Sequence, residues 1–251
     1  MLTLHNVSVR MDEKDILKDV SFQLRPNRLT VLVGRNGSGK TTLLSCVNQQ
    51  TPYSGAITVE GKDFSRLPAR QRAKTVAILP QSLPAPQISL WEMTAFGRNP
   101  YLDFTGRLTQ SDQEIIDKAL ADAKSTELAG RYVNTLSGGE RQRGALAMIL
   151  AQDTPIMLLD EPTAHMDLAY EARFLELLSQ LKGKKTILIV LHDLNLAAQY
   201  ADDILVLDGG KLVFSGTREA CLKEEILEKT FQLRRFRISD GDRQRFFFAA
   251  K

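Results

Sequence analysis

Three groups of residues in this 251-residue chain have the types and spacing to do chemistry. Gly34-Arg35-Asn36-Gly37-Ser38-Gly39-Lys40-Thr41 fits the phosphate-binding pattern G-x-x-x-x-G-K-[ST]. With glycine near 7% of average sequences, a chance fit in a chain this long is on the order of 1%, so the pattern is read as a site. Gly34, Gly37 and Gly39 let the backbone curl until its N–H groups point at an anion. The loop opens a helix through Thr41-Thr42-Leu43-Leu44, whose positive end faces the same anion. Lys40 is placed to reach the β- and γ-phosphates of a nucleoside triphosphate, and the Thr41 hydroxyl to ligate Mg²⁺. The second group is Asp160-Glu161, adjacent acids after four apolar residues. Asp160 has the pattern of the carboxylate that holds Mg²⁺ through water. The third is Leu136-Ser137-Gly138-Gly139-Glu140, running on as Arg141-Gln142-Arg143.

Short strands must carry these groups. Thr30-Val31-Leu32-Val33 runs into Gly34, and Val76-Ala77-Ile78-Leu79 into Pro80-Gln81. Ile156-Met157-Leu158-Leu159 runs into Asp160, and Ile187-Leu188-Ile189-Val190-Leu191 into His192-Asp193. The runs are rich in β-branched residues and do not alternate, as strands buried on both faces do not. Polar residues at one strand end need no explanation beyond the strand stopping. Four such ends, one with a phosphate loop and one with paired acids, match the carboxyl edge where open α/β sheets bind ligands.

The phosphate loop together with Leu136-Ser137-Gly138-Gly139-Glu140 resembles the ATP-binding cassette (ABC) ATPases, and the resemblance covers nearly the whole chain. It implies an α/β fold: a P-loop NTPase core of mostly parallel sheet flanked by helices, an antiparallel β portion and an inserted helical subdomain. It implies ATP and Mg²⁺ as cofactors, bound by Gly34 to Thr42. Glu161 is then the residue that orients or deprotonates the attacking water, His192 the switch histidine at the γ-phosphate, and Gln81 a contact to Mg²⁺ and the water. Ser137, Gly138, Gly139 and Glu140 form the segment that closes over ATP held by a second copy of the chain, head to tail. An isolated monomer would be nearly inactive.

The strand pattern stops between Pro84 and Thr154, so residues 84–154 read as the helical subdomain and 1–83 with 155–251 as the core. Three prolines in Pro80-Gln81-Ser82-Leu83-Pro84-Ala85-Pro86 make a stiff extended joint ahead of it. Ser89-Leu90-Trp91-Glu92 is a capping box for a helix ending near Gly97 and Pro100. Ser111-Asp112-Gln113-Glu114 is a second box, opening an amphipathic run through Ala123. Ser137-Gly138-Gly139-Glu140 is formally a third, in which Ser137 caps, Glu140 reciprocates and nothing binds. Paired glycines at a helix start are entropically costly and add nothing to a cap, whereas they let a ligand approach unpaired N–H groups.

The chain departs from the family pattern in three places. Met11 stands where most ABC ATPases carry an aromatic residue against adenine; base–aromatic stacking contributes about 1–3 kcal/mol in nucleic-acid complexes, so weaker ATP binding is expected. Asn27 stands at a common turn glycine, and asparagine tolerates left-handed backbone. Met166 replaces a usual leucine in the loop that crosses the dimer interface, a nearly volume-conserving change.

Composition excludes some classes. The net charge of +3 is small and its cations are scattered, which neither indicates nor excludes nucleic acid; with the resemblance above, no nucleic-acid partner is expected. Cys46 and Cys221 are in no metal or redox spacing, as in a reducing compartment. His5, His165 and His192 show no metal-binding spacing. No signal peptide or membrane-length apolar run occurs, so work at a membrane would need a partner. Trp91-Glu92-Met93-Thr94-Ala95-Phe96-Gly97-Arg98 with Pro100, and His192-Asp193-Leu194-Asn195 with Ala197 to Asp202, resemble the ATPases of ferric-siderophore, haem and cobalamin importers. That subfamily implies a peripheral subunit on the cytoplasmic face of the cell membrane. Its partners would be integral permease subunits and, indirectly, an extracytoplasmic substrate-binding protein. The alternatives are a soluble ABC ATPase of ribosomes or DNA, which usually has tandem cassettes or coiled coils, and an ATP-dependent dimerisation switch. Phe236 to Phe248 around Asp240-Gly241 reads as a hairpin, too short for a regulatory domain.

Overall fold

The computed structural model describes residues 1–164, 166–240 and 243–250, with backbone alone at 238–240 and 243–245. In chain order it runs β1 (Leu2–Met11), β2 (Lys14–Gln23), β3 (Leu29–Gly34), α1 (Lys40–Val47), β4 (Ser54–Val59), β5 (Lys62–Asp63), α2 (Ala69–Thr75), β6 (Val76–Leu79), α3 (Leu90–Ala95) and α4 (Gln110–Asp122). It continues through α5 (Gly138–Ala151), β7 (Ile156–Leu159), α6 (Leu168–Gln180), β8 (Thr186–Val190), α7 (Leu194–Tyr200), β9 (Asp203–Asp208), β10 (Lys211–Thr217), α8 (Arg218–Lys223), α9 (Ile226–Phe231), β11 (Leu233–Asp240) and β12 (Arg243–Ala250). Among the described residues no helix is long and apolar enough to cross a membrane.

Two compact units form, one from Met1–Arg66 with Thr186–Lys251, the other from Leu67–Lys185. The first holds an antiparallel sheet in the order β2-β1-β4-β5. It also holds β3 in parallel between β8 and β9, with β10 antiparallel outside β9. Every residue of β3 and β8 is buried, which is why neither alternates. β1 and β2 turn through Asp12 (φ 43°) and Glu13 (φ 66°), a two-residue hairpin turn made without glycine. Asn27 is left-handed (φ 57°), as expected of that position, and its N–H donates to Thr186 Oγ1 at 3.0 Å. β11 and β12 pair antiparallel from Leu233–Ala250 to Asp240–Arg243, giving the expected hairpin; its turn residue Gly241, like His165, lies outside the described residues. Cys46 and Cys221 are fully buried, and burial pushes their thiols up to about 11 and about 12, so neither is a reactive thiolate.

The second unit pairs β6 and β7 in parallel, Val76 opposite Ile156 through Leu79 opposite Leu159. Around the expected first helix the Ser89–Glu92 capping box forms, but the α-helix ends at Ala95 and continues as a 3₁₀ turn, Phe96–Tyr101, that contains Pro100. The second box is displaced. Thr109, not Ser111, caps α4, and Asp112, not Glu114, reciprocates: Asp112 Oδ2 accepts from the Thr109 N–H at 3.0 Å and the Thr109 hydroxyl at 2.6 Å. The start moved because Asp112 also answers a buried cation. Its Oδ1 accepts from Arg98 Nε at 2.9 Å, and Arg98 Nη1 donates to Ala151 O at the end of α5. Gly97 beside it is forced by close approach: a Cβ there would lie 2.2 Å from Met148 O.

Candidate functional site

In the first unit, β3 delivers the chain to Gly34, where a Cβ would lie 2.4 Å from Leu207 O and 2.5 Å from Ser38 Oγ. Only glycine fits there. Ser38 N–H donates to Arg35 O at 3.1 Å, closing the turn, and Gly37 (φ 73°) and Gly39 (φ 101°) are left-handed. Gly39 is the N-cap of α1 and offers no side-chain acceptor, so the first turn of the helix is left without a side-chain cap. Lys40 is 5% exposed, its ammonium donating to Gly34 O at 3.0 Å and Arg35 O at 3.3 Å across the loop. Ser38 Oγ is buried and has no hydrogen-bond partner among the described residues.

Uncapped N–H groups, a buried cation and an unanswered hydroxyl on one loop fit a chain of phosphates. Thr41, on the exposed side of the first turn, has the hydroxyl that would take Mg²⁺ there. Arg35 and Asn36 are exposed, and Arg35 Nη2 donates to Thr230 O at 2.9 Å. His192, also exposed, follows β8. Asp193, next to it, caps α7 by accepting from the N–H groups of Asn195 (2.6 Å) and Leu196 (3.3 Å). Met11 ends β1, 42% exposed.

In the second unit, the register of β6 and β7 places Gln81 and Glu161 two residues beyond the Leu79–Leu159 pair. Asp160 N–H donates to Leu79 O at 2.9 Å, extending the ladder, and Gln81 Nε2 donates to Glu161 Oε2 at 2.6 Å. Asp160 and Glu161 are 4% and 9% exposed. Glu161 has φ 47°, a conformation that costs a non-glycine residue about 1–3 kcal/mol and concentrates at functional positions. Two acids and an amide are thus held together at one strand edge.

Ser137 forms the third capping box as its sequence allows. The Glu140 N–H donates to Ser137 Oγ at 3.3 Å, and Ser137 N–H donates to Glu140 Oε2 at 2.8 Å. That bond and the Ser137 hydroxyl hold the Glu140 carboxyl below its usual range. The cap leaves the glycines unexplained. Neither has positive φ; a Cβ at Gly138 would meet nothing within 4 Å, and one at Gly139 only the Tyr170 ring at 3.8 Å. Among the described residues nothing fills the room kept at Gly138, at the start of α5.

The sequence did not single out the capping role of Asp193, the tie from Asn195 to the hairpin or the tie from Arg35 to α9. An aspartate just after a buried strand and ahead of an apolar helix is the signal that could have found the first.

Residues 17–164 match the model of a family described as ABC transporter. The iron(3+)-hydroxamate import ATP-binding protein of Bacillus subtilis is 36% identical over 236 residues, covering 92% of this chain and 88% of that protein. The hemin import ATP-binding protein of Pseudomonas fluorescens is 39% identical over 241 residues, covering 93% of each. A solved dimeric structure of a bacterial ABC transporter cassette superposes with a TM-score of 0.75 at 25% identity, covering 87% of this chain and 99% of that one.

Proposed function

The chain belongs to the ABC transporter family, and from that premise we propose that it is the ATP-hydrolysing subunit of an importer taking up an iron chelate (siderophore), haem or cobalamin. The observation that carries the cargo class is the 36–39% identity, over more than nine-tenths of the chain, to ATP-binding subunits of iron(3+)-hydroxamate and hemin import. The subunit lies on the cytoplasmic face of the cell membrane under integral permease subunits, with an extracytoplasmic binding protein supplying cargo to them.

Each residue has a role in this reading. The loop from Gly34 to Thr42 binds the phosphates, with Lys40 neutralising them. Mg²⁺, when bound, offsets charge on the phosphate oxygens; Thr41, Gln81 and Asp160 would hold it. Glu161 takes the proton of the attacking water or orients that water, and Gln81 fixes the Glu161 carboxylate. His192 donates toward the γ-phosphate. Ser137, Gly138, Gly139 and Glu140 act on ATP held by a second copy, for which the open space at the two glycines leaves room. Residues 84–154 form the helical subdomain that carries this segment, and 1–83 with 155–251 the core.

Met11 is proposed to lie against adenine, and Met11→Tyr is expected to tighten ATP binding by about fivefold or more, from a stacking gain of about 1 kcal/mol or above. An unchanged dissociation constant, measured by titration calorimetry, would remove Met11 from the site.

The transport reading is tested by tagging the chain, extracting native membranes gently and identifying what co-purifies. A polytopic membrane protein with a bound iron chelate, haem or cobalamin is expected. Recovery apart from membranes, with ribosomes, DNA or nothing, would overturn transport and leave the ATPase standing.

A further inference from the structure

The C-terminal segment touches two chemically placed stretches of the first unit. At one end, the backbone N–H of Phe248 in β12 donates to Asn195 Oδ1 at 2.7 Å. Phe248 is 6% exposed, and β12 packs along α7. At the other end, Thr230 O in α9 accepts from Arg35 Nη2 at 2.9 Å. Between these ties the described residues up to Arg235 are held by further contacts. Helix α9 lies between two left-handed residues, Glu225 (φ 56°) and Gln232 (φ 58°). Arg235 in β11 pairs with Glu228 in α9 at 2.9 Å, each side chain 13% exposed, and also donates to Leu222 O.

We infer that Arg35 and Asn195 are positioning residues through which the C-terminal segment, Ile226–Ala250, holds the phosphate loop and the stretch that carries His192. Helix α7 has seven residues, too short to hold itself in water, so its direction is set by what it packs on. The Asp193 cap fixes α7 to its own preceding turn and to nothing beyond. The Asn195 side chain supplies an outside reference near the start of α7, three residues after His192, while Arg218 Nη1 reaches Gln199 O at 3.4 Å near its other end. Arg35 does the same for the exposed face of the loop, at a residue whose guanidinium reaches the α9 carbonyl from within the phosphate pattern itself. The hairpin is therefore part of the support of the nucleotide site.

This inference rests on the ATPase reading, and the test separates the two. Hydrolysis at saturating ATP and the ATP dissociation constant are measured for the full chain, with its partners where activity requires them, and for Asn195→Ala, Asn195→Asp and Arg35→Ala. Asn195→Ala removes the acceptor, whereas aspartate keeps an oxygen in the same place. Asn195→Ala is expected to lower kcat about tenfold with ATP affinity within about twofold, and Asn195→Asp to restore kcat to within about twofold. Arg35→Ala is expected to weaken ATP binding several-fold. Asn195→Ala at wild-type kcat would overturn the inference, as would Asn195→Asp as slow as the alanine variant. If Asn195→Ala does not fold, Arg35→Ala carries the test, and unchanged ATP affinity there overturns it. A wild-type chain that hydrolyses no ATP with its partners present would strike the ATPase reading instead.

Discussion

Replacing Glu161 by glutamine is expected to cut steady-state ATP hydrolysis by about 10²–10⁴-fold, the range general-base catalysis contributes, while ATP binding stays intact. The substitution isolates chemistry from structure. Glutamine keeps the length and shape of the side chain, and its carbonyl oxygen can still accept from Gln81 Nε2, which reaches Glu161 at 2.6 Å. It is also no worse than glutamate at φ 47°. What it loses is the ability to take a proton. Phosphate release at saturating ATP, paired with equilibrium binding of labelled ATP, checks both halves. Phosphate release at the wild-type rate would remove Glu161 from the role of base. Gln81→Ala should act differently: the carboxylate survives but loses the partner that aims it, so a smaller fall in kcat is expected than in Glu161→Gln.

The strand ends were legible because burial dictates them. β6 and β7 occupy the positions their apolar runs indicate, Val76–Leu79 and Ile156–Leu159, since a strand covered on both faces disfavours polar and turn-forming residues and the first of these to appear marks its end. The phosphate loop was legible for a related reason: three glycines, a lysine and a threonine at fixed offsets have few other uses. The contact between Gln81 and Glu161 was not. It spans 80 residues and depends on β6 and β7 lying side by side in one register, which neither run states. The left-handed backbone of Glu161 was equally hidden, because glutamate gives no sign of it.

The start of α4 shows how a correct local rule can choose wrongly. Ser111-x-x-Glu114 and Thr109-x-x-Asp112 both satisfy the capping pattern, and nothing local decides between them. The decision comes from Arg98, a residue of the preceding turn, which needs a carboxylate in the interior and finds one at Asp112. The third box shows the converse. Ser137 and Glu140 cap α5 as the pattern says, yet the cap does not account for Gly138 and Gly139. A motif can serve the helix and a ligand at once, because the cap uses the N–H of Glu140 and leaves the earlier ones available.

Arg98 is where the largest loss of stability is expected. Its side chain is 7% exposed, and its guanidinium pairs with Asp112 at 2.9 Å, donates to Ala151 O at 2.8 Å and lies 4.0 Å from the centre of the Tyr101 ring. One side chain thus joins the 3₁₀ turn, α4 and α5. Arg98→Met keeps most of the apolar stem and strands the Asp112 carboxylate, at a cost of about 3–5 kcal/mol for breaking a buried pair. For a chain of this size that is a fall in Tm of roughly 6–20 °C. The effect has a pH signature. The Thr109 hydroxyl first, with its N–H and Arg98, holds Asp112 below the ordinary 3.8 against the opposing effect of burial. A carboxylate depressed on folding contributes stability that is present in full above its unfolded pKa and is lost as pH falls through the folded one. The gap in Tm between wild type and Arg98→Met should therefore be largest near neutrality and narrow as acid protonates the stranded Asp112 of the variant and then the paired Asp112 of the wild type. A gap under about 2 °C at pH 7 would show that the pair contributes little. A gap that persists undiminished at pH 2–3 would show that Arg98 acts through Ala151 O and Tyr101, and that Asp112 is held by Thr109 alone.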